Sequence, residues 1–142
     1  MTKHTGRCLC GDVTYSFEGD PAGVCHCHCE GCRRNCSAAV VTFVEAPRAN
    51  FEFTGAAPKT YVSSPGVRRL FCGTCGSPVA YDADWDEANI HLYLAALDDP
   101  EAFQPTLHVF VAEKLSWFDV KDQLPRYEGS SIDAEPVPEE TI

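Results

Sequence analysis

The cysteines of this chain are the feature that most constrains its fold. There are nine of them, and they fall into three short groups separated by long stretches without cysteine. Thiols in such tight groups bind soft metal ions such as zinc or pair as disulfides, and either link ties distant parts of a small chain together. The three groups are CLCG at 8–11, VCHCHCEGCRRNCS at 24–37 and FCGTCG at 71–76.

The two outer groups each contain a pair of cysteines followed at once by glycine. Two thiolates this close in sequence can occupy adjacent corners of a tetrahedral zinc, and glycine permits the positive φ that turns backbone N–H groups toward the sulfurs. Two pairs supply the four ligands of a closed site. We therefore predict a structural zinc, with disulfides or buried thiols as the alternatives. Its ligands are predicted to be Cys8, Cys10, Cys72 and Cys75.

The central group contains the other five cysteines. Side chains alternate along an extended segment, so Cys25, Cys27 and Cys29 share one face, and a turn brings Cys32 to the same point. Three convergent thiolates from Cys27, Cys29 and Cys32, with one open position, are typical of a catalytic zinc. Cys25 or Cys36 would close the site by supplying a fourth ligand. An open position would instead accept a thiolate from outside and keep it deprotonated near neutral pH.

The histidines are expected to have other roles. His26 and His28 alternate with the cysteines, so we expect them to lie outside the coordination sphere of the metal or to face solvent. His91 and His108 lie inside predicted strands among apolar neighbours, and we expect each to be a hydrogen-bonded strand residue rather than a metal ligand. The sequence shows no Ser-His-Asp pattern and no phosphate-binding loop.

Length and charge exclude several classes of protein. The 142 residues suit one domain, and the formal net charge of −10, from 21 acidic and 11 basic residues, repels the phosphate backbone of nucleic acids. No apolar run approaches the roughly 18 residues of a membrane span, and the N-terminus has no hydrophobic signal segment. We therefore expect a soluble protein of the reducing cytoplasm, with neither nucleic acid nor membrane as a partner.

Short β-rich runs recur along the chain and are separated by turn residues. This pattern predicts a mainly β, small single domain of antiparallel sheets, with brief helical turns at Asp99-Pro100-Glu101 and at 30–36. The predicted domain covers residues 1–128, and residues 129–142 are predicted to form an acidic, flexible tail. The strands are predicted at 13–17, 38–44, 51–53, 59–62, 67–71, 78–82, 90–97 and 107–111.

Several motifs occur together in the order and spacing of one known family. They are CLCG, CHCEGCRR, RLFCGTCGSPV, LDDPEAFQP and HVFVAEKLSWFDVKDQLPRYEG. From about Gly6 to Glu128, the chain resembles the glutathione-dependent formaldehyde-activating enzyme family of small zinc proteins. The resemblance implies twisted antiparallel sheets, a structural zinc on the outer cysteines and a second zinc associated with Cys27, Cys29 and Cys32. The cysteine spacing indicates the same two groups.

The resemblance also implies an activity. The family condenses glutathione with formaldehyde to S-hydroxymethylglutathione, which is a carbon–sulfur lyase reaction in the reverse direction. We therefore expect a small thiol such as glutathione and a small aldehyde as partners. The predicted catalytic residues are the ligands of the second zinc, Cys27, Cys29 and Cys32. Arg33 and Arg34 follow directly, and their guanidinium groups are suited to bind the glutathione carboxylates.

The chain departs from the family pattern at three positions. Cys25 and Cys36 are additional thiols, which would close the second site, bind another soft metal or form a reversible disulfide. Ser37 stands where a small residue, usually glycine, is expected. Two alternatives to an enzyme therefore stay open: a non-catalytic zinc-binding β module for protein interaction, and a thiol-redox or metal-handling protein.

Overall fold

A computed structural model describes residues 1–139 of the chain. The fold is mainly β, as the sequence predicts, and the described residues contain one α-helix, α1, at Glu30–Cys36. The strands are β1 (Lys3–Arg7), β2 (Thr14–Glu18), β3 (Val24–Cys27), β4 (Val41–Pro47), β5 (Phe51–Phe53), β6 (Lys59–Ser64), β7 (Val67–Phe71), β8 (Pro78–Ala83), β9 (Asn89–Tyr93) and β10 (Leu107–Val109). Short 3-10 turns span Arg48–Asn50, Leu94–Ala96, Pro100–Ala102 and Val111–Glu113.

The chain divides into two compact units. The first consists of Met1–Gly23 and Val44–Phe103, and the second consists of Val24–Phe43 and the residues from Gln104 onward. Strand β4 begins in the second unit and ends in the first. The four outer cysteines belong to the first unit, and the five central cysteines belong to the second. Each predicted metal group therefore lies within one unit.

The first unit contains a three-stranded antiparallel sheet in the order β1-β2-β5 and an antiparallel series in the order β9-β8-β7-β6. Strand β1 is not among the predicted strands, because its residues KHTGR are polar or small and show no apolar alternation. In its ladder with β2, Gly6 lies opposite the buried Tyr15. A Cβ at Gly6 would lie 2.5 Å from the Tyr15 side chain, so this close approach requires glycine.

A partly buried ion cluster lies on β8 in the same unit. The Asp82 carboxylate accepts hydrogen bonds from Arg48 Nη2 at 2.6 Å and from Arg68 Nε at 3.2 Å. Burial raises the pKa of the Asp82 carboxyl, but the bonds from Arg68 and Arg48 outweigh it, so the pKa lies below its usual value. The cluster therefore favours the ionised carboxylate in the folded protein.

In the second unit, β3 and β10 pair in parallel, with Val109 opposite Cys27. The sequence predicts antiparallel sheets and does not predict this parallel pair. Local sequence patterns do not identify a partner strand so distant along the chain. Helix α1 follows β3 and spans the predicted residues. It ends at Ser37, which has the left-handed conformation φ 50° and ψ 47°. This conformation explains why glycine is expected there.

The other predicted helical signal, in the first unit, forms the 3-10 turn Pro100–Ala102 with proline at its start. The Asp99 side chain makes no capping hydrogen bond there. Of the predicted features, the proline in the first turn is present and the N-cap hydrogen bond is not.

Hydrogen bonds connect the described part of the predicted tail, residues 129–139, to residues that precede it. Val137 N donates to Arg126 O at 2.7 Å, and Phe110 N donates to Gly129 O at 2.8 Å. Residues 140–142 of the predicted tail lie outside the described residues, and the boundary at 128 stays a prediction. No helix within residues 1–139 has both the length and the apolar character needed to cross a membrane.

Candidate metal centres

The four outer cysteines converge on one point of the first unit. Their sulfur atoms all lie within 4.8 Å of one another. The Cys8 and Cys10 sulfurs are 3.6 Å apart, and the Cys10 and Cys72 sulfurs are 3.8 Å apart. Zinc–sulfur bonds of about 2.3 Å at tetrahedral angles place neighbouring sulfurs about 3.8 Å apart. The four-cysteine cluster therefore has the dimensions and the donor set of a zinc cage.

Backbone geometry around the outer pairs matches the prediction. Gly11 and Gly76 both have positive φ, 85° and 77°. Val13 N donates to Cys8 Sγ at 3.3 Å, and two backbone N–H groups of the other turn donate to Cys72 Sγ at 3.4 and 3.5 Å. Such N–H groups stabilise thiolates and orient them toward a bound metal.

Neighbouring sulfurs shift the pKa values of the thiols in this cluster in opposite directions. The Ser77 hydroxyl lies 3.1 Å from Cys75 Sγ, and this hydrogen bond lowers the pKa of the Cys75 thiol to about 5. At Cys10, a backbone hydrogen bond from Asp12 favours the thiolate, but desolvation and proton donation to the other sulfurs raise the pKa to about 12. One thiolate thus disfavours the next, and a divalent cation among the sulfurs removes the repulsion.

The second cysteine group lies where β3 leads into α1. The sulfur atoms of Cys27, Cys29 and Cys32 lie within 4.8 Å of one another. Cys29 is the N-cap residue of α1, with φ −64° and ψ 148°, and its sulfur accepts the Cys32 backbone N–H at 3.3 Å. The turn that brings Cys32 back to the other two thiols is therefore the first turn of this helix.

Within residues 1–139, the cluster of candidate ligand atoms at this point has three members. Across residues 1–139, no further His, Cys, Asp or Glu ligand atom joins the group at the 4.8 Å limit, and Cys25 and Cys36 lie outside it. Cys27 and Cys32 are buried, whereas Cys29 is partly exposed, so solvent reaches one side. Hydrogen bonds with the other two sulfurs, together with burial, raise the pKa of the Cys27 thiol. A soft cation bound among the three sulfurs would favour their ionised forms.

The two strand histidines are confirmed as hydrogen-bonded residues. His91, on β9, places Nε2 at 2.8 Å from Asp86 Oδ2. His108, on β10, is 1 % exposed and places Nε2 at 2.9 Å from Asp122 Oδ2. Both imidazole rings are therefore fixed by carboxylates.

His26 and His28 lie outside the cysteine groups, as expected. His26 Nδ1 lies 2.8 Å from Thr42 Oγ1, and His28 Nε2 lies 2.9 Å from His108 Nδ1. The ligand atoms of His26, His108 and Asp122 also lie within 4.8 Å of one another. This polar cluster is not predicted from the sequence, because its members are far apart along the chain and have no common spacing.

The two arginines after Cys32 are held differently. Arg33 donates from Nε to His28 O and from Nη2 to Glu113 O, each at 3.2 Å. Arg34 forms an ion pair with Glu30 at 2.8 Å, and both side chains are more than half exposed. Arg33 thus has a fixed guanidinium, and Arg34 presents one at the surface. Their contact with glutathione carboxylates stays a prediction.

The fold and the two cysteine groups define a small β protein with two candidate centres for a soft metal. Residues 3–113 match the family described as glutathione-dependent formaldehyde-activating enzyme, and the chain belongs to that family. Both cysteine groups lie within the matched residues.

Two similar proteins extend this comparison. The chain is 28 % identical over 81 residues to a protein of Schizosaccharomyces pombe named uncharacterized lyase C29B12.13. The match covers 57 % of this chain and 58 % of that relative. A crystal structure of a Rhodobacter sphaeroides protein has a TM-score of 0.56 at 21 % identity, covering 66 % of this chain and 87 % of the other. At this identity the second likeness concerns the fold alone.

Proposed function

We propose that the chain is a lyase-type, zinc-dependent enzyme that condenses glutathione with formaldehyde to the S-hydroxymethyl adduct. Membership of the family supports this proposal, as does the relative that is named a lyase. Another small thiol or a related aldehyde would react by the same chemistry. The observation that carries the proposal is the group of three convergent cysteines that no fourth ligand joins within residues 1–139.

The two cysteine groups would hold zinc in different ways. The four outer cysteines complete a tetrahedron, so we assign them a structural zinc. Cys27, Cys29 and Cys32 would hold the second zinc, which when bound supplies a Lewis acid that keeps a thiol substrate deprotonated. The partial exposure of Cys29 leaves a route by which the thiol reaches this group.

The reaction would gather negative charge at the three-cysteine group, and Arg33 would offset part of it. The carbon–sulfur bond forms between the thiolate and the aldehyde carbon, and the aldehyde oxygen takes up the proton that the thiol has lost. The three cysteine thiolates and the thiolate of the substrate together carry four negative charges, which exceed the charge of one divalent cation. Arg33 directly follows Cys32, and its guanidinium is fixed by hydrogen bonds to the carbonyl oxygens of His28 and Glu113. It would supply a positive charge that offsets part of this excess.

Arg33 and Arg34 are also the residues that we propose to bind glutathione carboxylates. The two hydrogen bonds of Arg33 use two of the five N–H donors of its guanidinium, so others remain for a carboxylate. The exposed Arg34–Glu30 pair is worth only about 0.3–0.5 kcal/mol, so a substrate carboxylate can replace Glu30 there. We propose the cytoplasm as the compartment, because glutathione is reduced there and the thiols stay available.

The test is the rate at which free formaldehyde disappears when glutathione is added. Wild-type protein should exceed the spontaneous rate, and Cys29→Ser should return the rate to that of a blank without protein. Cys36→Ser is the matched control, because it makes the same substitution in the same segment at a cysteine outside the three-cysteine group. It should retain the wild-type rate.

Two results would contradict the proposal. One is a wild-type rate equal to the blank with both zinc ions present, which would favour a non-catalytic zinc module. The other is a Cys29→Ser rate equal to that of wild type, since the reaction would then not depend on the three-cysteine group.

A further inference from the structure

A buried chain of hydrogen bonds runs through the second unit. His28 Nε2 lies 2.9 Å from His108 Nδ1, and His108 Nε2 lies 2.9 Å from Asp122 Oδ2. His28 and His108 are only 2 % and 1 % exposed. Three side chains from distant parts of the sequence are therefore connected in one series, Asp122–His108–His28.

The Asp122 end of the series is firmly held. Arg126 Nη1 and Leu124 N both donate to Asp122 Oδ1, at 3.2 and 3.0 Å. Arg126 is itself buried, and its Nη2 donates to Val120 O at 2.6 Å. Burial raises the pKa of the Asp122 carboxyl, but the hydrogen bonds from His108 and Leu124 outweigh it, and the pKa lies below its usual value. The series thus ends at an ionised carboxylate.

This end fixes the direction of every hydrogen bond when both imidazole rings are neutral. A carboxylate only accepts, so His108 donates through Nε2 and accepts through Nδ1. His28 must then donate through Nε2, which leaves a lone pair on its Nδ1. That Nδ1 is buried and has no hydrogen-bond partner among the described residues. The bond to His108 is therefore the hydrogen bond that sets the orientation of the His28 ring.

The main chain of His28 is held as well. His28 N donates to Val109 O at 3.1 Å, and its carbonyl oxygen accepts from Arg33 Nε at 3.2 Å. His28 lies between Cys27 and Cys29, so its backbone torsions set the spacing of these two sulfurs. A residue fixed at its N–H, its carbonyl and its ring leaves the two thiols little freedom.

We propose that the Asp122–His108–His28 series is a positioning device that holds Cys27 and Cys29 at the spacing a metal ion requires. It acts through His28 and on the opposite side of the segment from the sulfurs. Partners outside the ligand set that orient metal ligands typically contribute 10–100-fold to metal affinity. This inference rests on the proposed metal role of the three-cysteine group, but it does not depend on the reaction.

A metal ion bound directly by His26, His108 and Asp122 is the competing interpretation, since their ligand atoms also lie within 4.8 Å of one another. The hydrogen bonds argue against it. Both nitrogens of His108 are already engaged, and the Arg126 guanidinium lies 3.2 Å from the Asp122 carboxylate, where it would repel a divalent cation.

The experiment measures zinc release from zinc-loaded protein into a chromophoric chelator at increasing concentration. The component lost in Cys29→Ser identifies the three-cysteine group. His28→Phe and His108→Phe each remove one link and should weaken zinc binding in that component by about 10–100-fold. The double variant should be no weaker than either single variant, because both substitutions break the same series. The component that belongs to the four outer cysteines should not change.

His91→Phe is the control for a merely structural effect. It removes a buried histidine of the first unit that is bonded to a carboxylate at 2.8 Å, and it should leave zinc binding by the three-cysteine group unchanged. Asp122→Asn is the conservative variant, since its amide oxygen still accepts from His108. It should retain most of the affinity. If His108→Phe does not fold, His28→Phe carries the test, and wild-type affinity at the three-cysteine group in a folded His28→Phe protein would overturn the inference.

Two results would overturn the inference. Wild-type affinity at the three-cysteine group in a folded His108→Phe protein would reduce the series to a stabilising contact. If wild-type protein binds a third equivalent of zinc and His108→Phe loses it, His108 would instead be a metal ligand. Chelator competition uses no substrate, so a protein without enzymatic activity can still support or contradict this proposal.

Discussion

Cys10→Ala tests the structural role of the four outer cysteines with little other disturbance, because Cys10 is exposed and its removal leaves no cavity in the core. The substitution removes one ligand of the metal that would link Cys10 to Cys72, 62 residues away. If this link restrains the unfolded chain as a disulfide across the same loop would, its loss costs about 4 kcal/mol. A domain of this size has a total stability of about 5–15 kcal/mol, so this loss is a large fraction of the total.

The assay is urea unfolding at a fixed total zinc concentration, followed by tryptophan fluorescence, together with the zinc content of the purified protein. Because Cys8, Cys72 and Cys75 remain, the variant should release this zinc to a chelator more readily than wild type. Once that zinc is removed, the variant should be about 4 kcal/mol less stable than zinc-loaded wild type. Leu9→Ala is the matched control, since Leu9 is the exposed neighbour of Cys10, and it should change neither quantity. A chelator-treated Cys10→Ala protein within about 1 kcal/mol of zinc-loaded wild type would refute the reasoning.

Three further substitutions test local features of the fold by chemical denaturation. Ser37→Gly should stabilise the protein by about 1 kcal/mol, because Ser37 occupies the left-handed region, and a loss of stability would contradict this. Gly6→Ala should destabilise it by about 1–3 kcal/mol through the clash with Tyr15, unless the ring moves aside at no cost. The pKa of the Asp82 carboxyl lies below its usual value, so its contribution to stability is present above the unfolded pKa and is lost as pH falls through the folded pKa. Asp82→Asn weakens the charge-assisted hydrogen bonds with Arg48 and Arg68, so it should lower stability at pH 7 by about 2 kcal/mol and make the acid transition shallower. An unchanged acid transition would argue against the ion cluster.

The metal-binding geometry was predictable where it is encoded locally. The outer cysteine pairs sit two and three residues apart and are followed by glycines with positive φ, so each pair converges without help from the rest of the chain. Cys29 and Cys32 are brought together by the first turn of α1, which the predicted boundaries include. Short-range turn geometry is what sequence spacing describes best.

Features that depend on distant partners were not predictable. Strand β1 has no apolar alternation and exists through its ladder with β2, and the parallel partner of β3 is β10 near the other end of the chain. The hydrogen bond between His28 and His108 joins residues 80 positions apart, with Asp122 further on. The sequence predicts a hydrogen-bonded His108, but for His28 it predicts only a position outside the coordination sphere or facing solvent, and His28 is in fact buried. The partners of both rings are set by tertiary packing.

The arginines show the same limit at the site itself. Arg33 and Arg34 are adjacent in sequence, yet one is fixed by backbone carbonyls and the other forms a surface ion pair. A basic doublet predicts positive charge near the cysteines, while the direction of each guanidinium follows from the segments that pack around it.

Cadmium NMR of protein in which cadmium replaces zinc most directly tests the central claim, that one metal centre is closed and the other accepts an outside sulfur. The account predicts two resonances, one unaffected by glutathione and one that moves as a further sulfur joins the metal; the second should be absent in Cys29→Ser. Two resonances that both ignore glutathione, or a second resonance that already has the position of a four-sulfur site, would contradict it.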